Sequence, residues 1–205
     1  MIHPDIELHF ISEEMGYGLF ARRLIPRGTI TWVRDRLDRA FTNGEIASLD
    51  PFWQDIVDKY TFVDRYGDHV MCWDLSRFMN HSCGPSSLYT GWDFEIALRD
   101  IAPGEELTDD YGTLNLEESF PCACGLPVCR KTILPDDLET HADRWDAQVR
   151  GVFPLLGTAA QPLLHLVPAA DRDDLQRALA DPSLLRSCIH HYAAARTIRR
   201  RSDHD

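Results

Sequence analysis

Three cysteines lie within the segment FPCACGLPVC, at Cys122, Cys124 and Cys129. Closely spaced thiolates are typical ligands of a structural zinc ion, whose closed sites take four ligands. The spacing therefore favours a metal site over incidental free thiols, but it leaves one ligand to be found elsewhere in the chain.

A second segment, RFMNHSCGPSS, places four polar or reactive side chains in a row, Asn80, His81, Ser82 and Cys83. Polar side chains that become buried need hydrogen-bond partners. Such a run after an apolar Phe-Met pair is unusual for a surface loop and indicates a functional segment, although a structural loop fits these residues equally well.

Two further segments contain a tyrosine in a suggestive place. In GYGLFARRLIPRG, Gly16 and Gly18 flank Tyr17 and allow the backbone to approach a ligand closely, whereas a simple turn is the commoner use of such a pair. In ALRDIAPGEELTDDYG, a predicted strand and a Pro-Gly turn lead into an acidic run that ends on Tyr111. Taken alone, a tyrosine at such a position more often serves the core than a reaction.

The composition is that of an ordinary globular protein, with 205 residues, 44% hydrophobic and 26% charged. The formal net charge of −12 disfavours nucleic acid as the main partner, because phosphate binding needs a basic face. It favours a basic protein or peptide that is attracted by the field, with simple solubility as the alternative explanation.

The first residues, MIHPDIELHFISEE, lack the basic and apolar regions of a signal peptide. No apolar run approaches the roughly 20 residues that span a bilayer. We therefore expect a soluble, cytoplasmic protein without membrane contact. In that compartment six cysteines favour metal ligation or free thiols over disulfides.

The first two-thirds of the chain are predicted to form short strands joined by turns. β-branched and aromatic residues predict strands at 8–11, at 29–33 and in FEIALRDI, and a hairpin in which YTFVD and DHVMCWD flank RYG. A short helix is predicted in DPFWQDIVDKY, with Asp50 as the N-cap and Pro51 at the first helical position.

After about residue 134 the pattern becomes helical. One apolar stripe consists of Leu138, Ala142, Trp145 and Val149. Helices are also predicted in DRDDLQRALA and in PSLLRSCIHHYAAARTIRR, where Leu185, Ile189 and Tyr192 share one side and cations end the helix. The chain therefore consists of a β-rich body, a cysteine-rich joint and an all-helical tail.

Taken together, these segments resemble the motifs of a SET-domain protein lysine methyltransferase with a post-SET zinc segment. The matching motifs are G-x-G, R-F-x-N-H-S-C-x-P, G-E-E-L-T-x-D-Y-G and C-x-C-x4-C-R. They cover roughly residues 5–133, and four motifs in the right order are far more specific than any one of them. The tail beyond about residue 135 is not covered.

The resemblance implies an α+β, mostly β fold, a SET-domain fold of small curved sheets with a pseudoknot, in which the Asn-His-Ser-Cys segment threads under a loop near the Asp-Tyr-Gly segment. It divides the chain into a SET domain (1–115), a post-SET zinc-binding segment (116–134) and an α-helical C-terminal extension (135–205). For the extension we favour a helical cap over apolar surface, and the alternatives are a cover over the cofactor or substrate cleft and a homodimer formed through the tail.

The resemblance also implies that S-adenosylmethionine binds and leaves as S-adenosylhomocysteine. The residues at the family's cofactor-binding positions are Met15, Gly16, Tyr17, Gly18, Tyr60, Asn80, His81 and Tyr111. The backbone near the glycines would approach the methionine moiety, and the polar groups of Asn80 and His81 would hold the adenine and amino ends.

Tyr111 matches the family's catalytic tyrosine at the end of the lysine channel. In the implied reaction the ε-amine of a substrate lysine attacks the sulfonium methyl group directly. The amine must be neutral, and holding a lysine of pKa about 10.4 neutral near pH 7.4 costs roughly 4 kcal/mol, which an apolar channel reduces by desolvation. No motif residue is identified as a base, so loss of the proton to water is the hypothesis at this level.

Among the departures from the family pattern, the one at Asp109 bears on the chemistry. Where the family has an aromatic or small apolar residue that helps decide how many methyl groups fit, this chain has Asp109. A carboxylate there can hydrogen-bond a water or the amine, and it can also hold the lysine charged and slow the reaction. The number of methyl groups transferred is therefore open.

The resemblance also implies which residue is the fourth metal ligand. The matching position is Cys83, which would join the three clustered cysteines in a four-thiolate site for one structural zinc ion. Such a zinc would tie the post-SET segment onto the loop that carries Asn80 and His81. Structural zinc contributes on the order of 10 kcal/mol or more to local folding.

The leading hypothesis is an enzyme, an S-adenosylmethionine-dependent protein-lysine N-methyltransferase that acts on a histone or another basic protein without direct nucleic-acid binding. The alternative, motivated by Asp109, is a catalytically inactive SET-like module that binds a peptide or partner. A third hypothesis is methylation of a small-molecule amine. We expect a cytoplasmic location, with the nucleus in a eukaryote or a host cell for a bacterial effector as variants.

Overall fold

Twelve short strands form four sheets within residues 1–191, the part of the chain that this structure, a computed structural model, describes. The strands are β1 (Ile6–Ser12), β2 (Gly16–Ala21), β3 (Ile30–Val33), β4 (Arg39–Phe41), β5 (Thr61–Val63), β6 (His69–Met71), β7 (Asn80–His81), β8 (Ser87–Tyr89), β9 (Phe94–Ala97), β10 (Glu106–Asp109), β11 (Phe120–Pro121) and β12 (Thr132–Ile133). The α-helices are α1 (Asn43–Ala47), α2 (Pro51–Tyr60), α3 (Asp137–Val152) and α4 (Ala169–Ala180). Short 3-10 helices cover Leu75–Phe78, Tyr111–Thr113, Phe153–Gly157, Leu164–Leu166, Pro182–Leu184 and Cys188–His191. The predicted α+β, mostly β architecture with a helical C-terminal region is confirmed.

Local sequence signals give the predicted hairpin and helix. β5 pairs antiparallel with β6, and Gly67 in the connecting turn has φ of 84°, a conformation that favours glycine. The helix α2 begins at Pro51, whose missing amide costs nothing at the first helical position. Asp50 is its N-cap in extended backbone, although its side chain makes no capping hydrogen bond.

One sheet, in the strand order β1-β2-β10-β7, brings distant segments together. β1 and β2 form an antiparallel hairpin, β10 pairs antiparallel with β2, and β7 pairs in parallel with β10. A parallel pair needs a long crossover connection, which residues 82–105 supply. This pairing is the contact that the predicted pseudoknot requires, and it places the Asn-His-Ser-Cys segment beside the strand that leads to Tyr111.

The C-terminal helices share a hydrophobic core with the strands. Trp145 and Val149 on α3 belong to one buried cluster with Trp92, Ile96 and Phe153, and the rings of Trp92 and Phe153 stack with centroids 5.5 Å apart. Burying a large apolar side chain stabilises a fold by about 1.5–3 kcal/mol. The extension therefore covers the sheet formed by β3, β9 and β8, as a helical cap would.

The single helix predicted in PSLLRSCIHHYAAARTIRR is wrong over its described residues, which form two separate 3-10 helices. The backbone amide of Cys188 donates to Oδ1 of Asp146 at 2.8 Å instead of to an earlier carbonyl. Arg186 forms ion pairs with Asp171 and Asp174. Tertiary partners thus replace the helical hydrogen bonds. Tyr192, which is predicted to share one side of that helix with Leu185 and Ile189, lies outside the described residues.

The described helices are short, and none within residues 1–191 has the length and apolar character to cross a membrane.

The domain boundaries at 115 and 134 and the homodimer through the tail stay predictions.

Candidate active site

Asn80 joins the G-x-G hairpin to the parallel strand pair. Its side-chain amide donates to the carbonyl oxygen of Tyr17 at 3.0 Å and to Oε1 of Glu106 at 2.8 Å. A Cβ atom at Gly18 would lie 2.5 Å from Oε1 of Glu106 and 2.9 Å from Nδ2 of Asn80. A larger residue at position 18 would have to displace these side chains, so the second glycine of the motif suits the close packing of three distant segments.

His81 connects the cysteine-rich region with Tyr111. Its Nδ1 accepts a hydrogen bond from the backbone amide of Tyr111 at 3.1 Å, and its Nε2 lies 3.4 Å from Sγ of Cys83. Because Nδ1 accepts, the proton of the neutral ring is on Nε2 and points to the sulfur. Burial lowers the pKa of His81, partly opposed by the carboxylate of Asp110, and the neutral ring is favoured.

Four cysteine sulfurs meet at one place, and the set contains the predicted distant member. The sulfurs of Cys83, Cys122, Cys124 and Cys129 all lie within 4.8 Å of one another. Cys83 and Cys122 are 3.7 Å apart, close to the spacing of about 3.8 Å that tetrahedral Zn–S bonds of about 2.3 Å impose. Backbone amides of residues 130 and 131 also point to sulfurs, at 3.4 Å each. The donor set fits a structural zinc ion.

Arg130 links this cluster to the residue before Tyr111. Its guanidinium donates to both carboxylate oxygens of Asp110, with an Nη1–Oδ2 distance of 2.7 Å, and its Nε lies 3.2 Å from Oδ2 of Asp137 on α3. Asp110 is fully buried, and a buried carboxylate needs a charged or hydrogen-bonding partner. The ion pair therefore fixes the cysteine segment and α3 against the Tyr111 turn.

A cavity of about 450 Å³ lies beside Tyr111. Aromatic side chains form much of its wall, including Tyr60, Trp32, Phe62 and Tyr89. The rings of Trp32 and Tyr89 have centroids 5.8 Å apart, and Phe62 meets Trp32 edge to face at 5.7 Å. An aromatic wall of this kind can hold an alkyl chain and attract a cation at its end.

The hydroxyl of Tyr111 is fixed at the cavity by a hydrogen bond that it donates to the carbonyl oxygen of Met79. Burial, together with the charges of Asp109, Glu95 and Glu106, raises the pKa of Tyr111. The phenol therefore keeps its proton at neutral pH, so Tyr111 acts through the position and polarity of its hydroxyl and not as a phenolate.

Two carboxylates, Asp109 and Glu95, line the same cavity and are only 2% and 4% exposed. Oδ1 of Asp109 accepts from the backbone amide of Asp110 at 2.6 Å, whereas Oε2 of Glu95 has no hydrogen-bond partner among the described residues. Burial raises the pKa of Asp109 well above its usual value, with the charge of Glu95 adding to the effect. Burial also raises the pKa of Glu95 to about 7.

The cavity receives only part of the predicted cofactor-binding set. Tyr60 and Tyr111 line it, whereas the set's other members, Met15, Gly16, Tyr17, Gly18, Asn80 and His81, do not. Phe78 bridges the two groups, because its ring packs against Tyr17 at 6.0 Å and against Tyr60 at 5.5 Å. Met15 and Tyr17 are about half exposed. The predicted residues therefore occupy one continuous region, and their roles stay predictions.

Sequence reasoning does not identify Glu95, Arg130 or Asp110 as site residues. Glu95 has one signal, a charge in the middle of the apolar strand FEIA. Arg130 and Asp110 stand inside the motifs, but their ion pair joins positions 20 residues apart. Motif spacing cannot reveal such a partner, because it depends on how the segments pack.

Comparison with known proteins places residues 16–112 in a match to the SET domain family model. The variant-silencing SET domain-containing protein of Plasmodium falciparum is 33% identical over 132 residues, 58% of this chain and 5% of that protein. The H3 lysine-36-specific histone-lysine N-methyltransferase of Schizosaccharomyces pombe is 27% identical over 135 residues, 58% of this chain and 16% of that protein.

The methyltransferase domain of human histone-lysine N-methyltransferase SETMAR is similar in structure, with a TM-score of 0.45, 21% identity and coverage of 65% of this chain and 58% of that chain. The match to the P. falciparum and S. pombe relatives spans only a small part of the length of either protein, 5% and 16% respectively.

Proposed function

We propose that this chain, in which residues 16–112 match the SET domain family model, transfers a methyl group from S-adenosylmethionine to the ε-amine of lysine in a protein substrate. The observation that carries the proposal is the position of Tyr111. Its backbone is held by His81, its hydroxyl by the carbonyl of Met79, and its ring lies in the wall of an aromatic cavity. This placement supports the catalytic role that the resemblance implies for Tyr111.

The cofactor, when bound, supplies a sulfonium methyl group as the electrophile. The chain's own residues then have to align the amine with that methyl group and exclude water. The aromatic side chains of Trp32, Phe62 and Tyr89 suit the aliphatic part of a lysine, and the Tyr111 hydroxyl offers a directional polar contact at its end.

Cofactor binding is proposed at the region where Met15 to Gly18, Asn80 and His81 meet. Support comes from the hydrogen bonds of Asn80 to Tyr17 and Glu106, which hold the hairpin beside the segment that leads to His81. Part of the hairpin surface is exposed at Met15, so a ligand has access to it.

One zinc ion is proposed at the four cysteines. The ion would supply no reaction chemistry, since four thiolates close its coordination sphere. Its role would be to hold the segment after residue 120 against Cys83, and thereby to position His81, whose Nε2 contacts the Cys83 sulfur.

The substrate is proposed to be a basic protein. The net charge of −12 favours encounter with a Lys/Arg-rich segment, and the S. pombe relative is named as specific for a lysine of histone H3. The cytoplasmic location expected from the sequence accompanies this proposal as a further prediction.

The test is transfer of a tritiated methyl group from S-adenosylmethionine to core histones and to proteins of a cell lysate. We expect label on lysine that falls by well over tenfold in Tyr111→Phe, with Tyr66→Phe as the matched control because Tyr66 is 62% exposed. Equal labelling by wild type and Tyr111→Phe would remove Tyr111 from its role. Absence of labelling by a wild type that binds S-adenosylmethionine in calorimetry would replace the enzyme by the inactive binding module.

A further inference from the structure

The cross-strand register places a carboxylate between two aromatic rings of the cavity. Glu95 on β9 is directly opposite Trp32 on β3 and Tyr89 on β8. Directly opposite residues project from the same face of a sheet and lie in contact distance. Phe62 packs against both rings, at 5.7 Å and 6.5 Å. One face of the sheet therefore presents a carboxylate within an aromatic group that lines the cavity.

Three buried polar atoms of cavity-lining residues have no hydrogen-bond partner in the described part of the chain. They are Oε2 of Glu95, Oδ1 of Asn115 and Nε1 of Trp32. A buried polar atom without a partner costs free energy, and a buried carboxylate costs more. Two of the three are acceptors, which a ligand with several N–H donors would satisfy.

We propose that Glu95, supported by Asp109 and surrounded by Trp32, Phe62 and Tyr89, binds the substrate ammonium group and accepts its proton before methyl transfer. This inference rests on the proposed function for the proton step, but the cation subsite does not depend on it. A primary ammonium offers three donors and a positive charge, so it matches both the unpartnered carboxylate oxygen of Glu95 and the faces of the rings.

The proton balance is complete with these groups. The ammonium proton moves to the carboxylate of Glu95 and leaves a neutral amine and a carboxylic acid. The amine lone pair then forms the N–C bond while the C–S bond breaks and its electron pair stays on sulfur. The product is a methylammonium and a neutral thioether, and Glu95 returns its proton to water.

The pKa values of the two buried carboxyl groups support the role of Glu95 as the proton acceptor. Burial raises the pKa of Asp109 well above its usual range, and burial raises the pKa of Glu95 to about 7. A general base is most efficient when its pKa lies near the working pH. A hydrogen bond with the side chain of Ser87 and, to a smaller extent, the charge of the nearby amino terminus oppose the burial effect on the pKa of Glu95.

Other ionisable groups also face the cavity and define the controls. They include Asp58, Lys59, Tyr60, His69, Arg77, Glu117 and Glu118. His69 lies 3.6 Å from a carboxylate oxygen of Glu117. Because His69 is an ionisable residue of the same cavity, His69→Gln serves as the control for pH dependence. Tyr89, Tyr111 and Cys72 keep their protons near neutral pH, because burial raises the pKa of each.

The first test is binding of n-butylamine, the lysine side chain alone, followed by the NMR signal of the Trp32 indole N–H at pH 8. We expect wild type to bind n-butylamine, to bind n-butanol at least tenfold more weakly, and to lose at least tenfold in affinity for the amine in Glu95→Gln. The exposed residue Glu139 on α3, which is not part of the cavity lining, supplies the control Glu139→Gln, which keeps the affinity. Equal affinity in wild type and Glu95→Gln would overturn the subsite.

The second test is the pH profile of kcat/KM for methyl transfer to core histones. With Glu95 as acceptor, the wild-type profile levels off above about pH 7, and so does that of His69→Gln. The Glu95→Gln profile keeps rising about tenfold per pH unit between pH 7 and 9, because this variant must wait for lysine that is already neutral. Parallel profiles would overturn the acceptor role. Amine binding without any methyl transfer by wild type would contradict the proposed function, and the acceptor role with it, while the cation subsite stands.

Discussion

The backbone amide of Tyr111 donates a hydrogen bond to Nδ1 of His81 at 3.1 Å. The same ring lies 3.4 Å from the sulfur of Cys83 through Nε2. One imidazole thus connects the tyrosine at the cavity with a cysteine of the proposed zinc cluster, and the two regions cannot vary independently.

Removal of the acceptor Nδ1 of His81 is expected to disturb the position of Tyr111. In His81→Ala the buried amide of Tyr111 loses its partner, which costs about 1–3 kcal/mol, and methyl transfer should fall at least tenfold. His81→Asn, whose amide oxygen can replace Nδ1 as acceptor, should recover part of both losses. Urea unfolding and the methyl-transfer assay measure the two effects. If His81→Asn is no more stable and no more active than His81→Ala, the hydrogen bond to the Tyr111 amide does not account for the losses.

Cys83→Ser should release zinc and abolish methyl transfer together. The four sulfurs lie within 4.8 Å of one another, and a site left with three thiolates binds zinc far more weakly. Zinc content per chain, measured by mass spectrometry, should fall from about one to nearly none. The control is Cys188→Ala, because Cys188 is a buried thiol in the helical core outside the cluster. Stoichiometric zinc in Cys83→Ser would place the fourth ligand elsewhere.

The ion pair between Arg130 and Asp110 should contribute strongly to stability. Arg130→Met leaves the fully buried Asp110 carboxylate without its main partner, and breaking a buried pair on one side costs about 3–5 kcal/mol. The measurement is the free energy of unfolding in urea. The exposed residue Arg150 on α3 gives the control Arg150→Met, which should change the stability by less than about 0.5 kcal/mol. Similar values for the two variants would contradict a structural role for the pair.

The buried carboxyl of Glu95 should make stability depend on pH. Its pKa is about 7 in the folded protein against an ordinary 4.5, so the folded state binds more protons between these values. The free energy of unfolding therefore falls as pH rises from about 4.5 to 7, by about 3 kcal/mol for this difference in pKa.

Glu95→Gln removes that dependence, because an amide does not ionise. Relative to wild type, the variant should be nearly equal in stability at pH 4.5 and more stable by about 3 kcal/mol at pH 8. Urea unfolding at both pH values measures the difference, and Glu118→Gln serves as the exposed control. Parallel curves of unfolding free energy against pH for wild type and Glu95→Gln would contradict a raised pKa of Glu95 in the folded protein.

Residue type and spacing along the chain are enough to predict the resemblance to SET domains that the family model then matches at residues 16–112. The G-x-G, Asn-His-Ser-Cys and Asp-Tyr-Gly segments indicate their chemistry without knowledge of the fold, and the hairpin and α2 follow from turn and capping residues that act over a few positions. Such signals are readable in the sequence because their physical causes lie within one turn or one strand.

Which distant residues meet depends instead on how the chain packs. The parallel pairing of β7 with β10 brings His81 to Tyr111, Arg130 finds Asp110 across 20 positions, and the register of β9 sets Glu95 between Trp32 and Tyr89. The same cause ended the predicted C-terminal helix, where Asp146 binds the amide of Cys188. These contacts depend on strand register and on the burial of charge. Both are properties of the folded chain, so no single segment of the sequence predicts them.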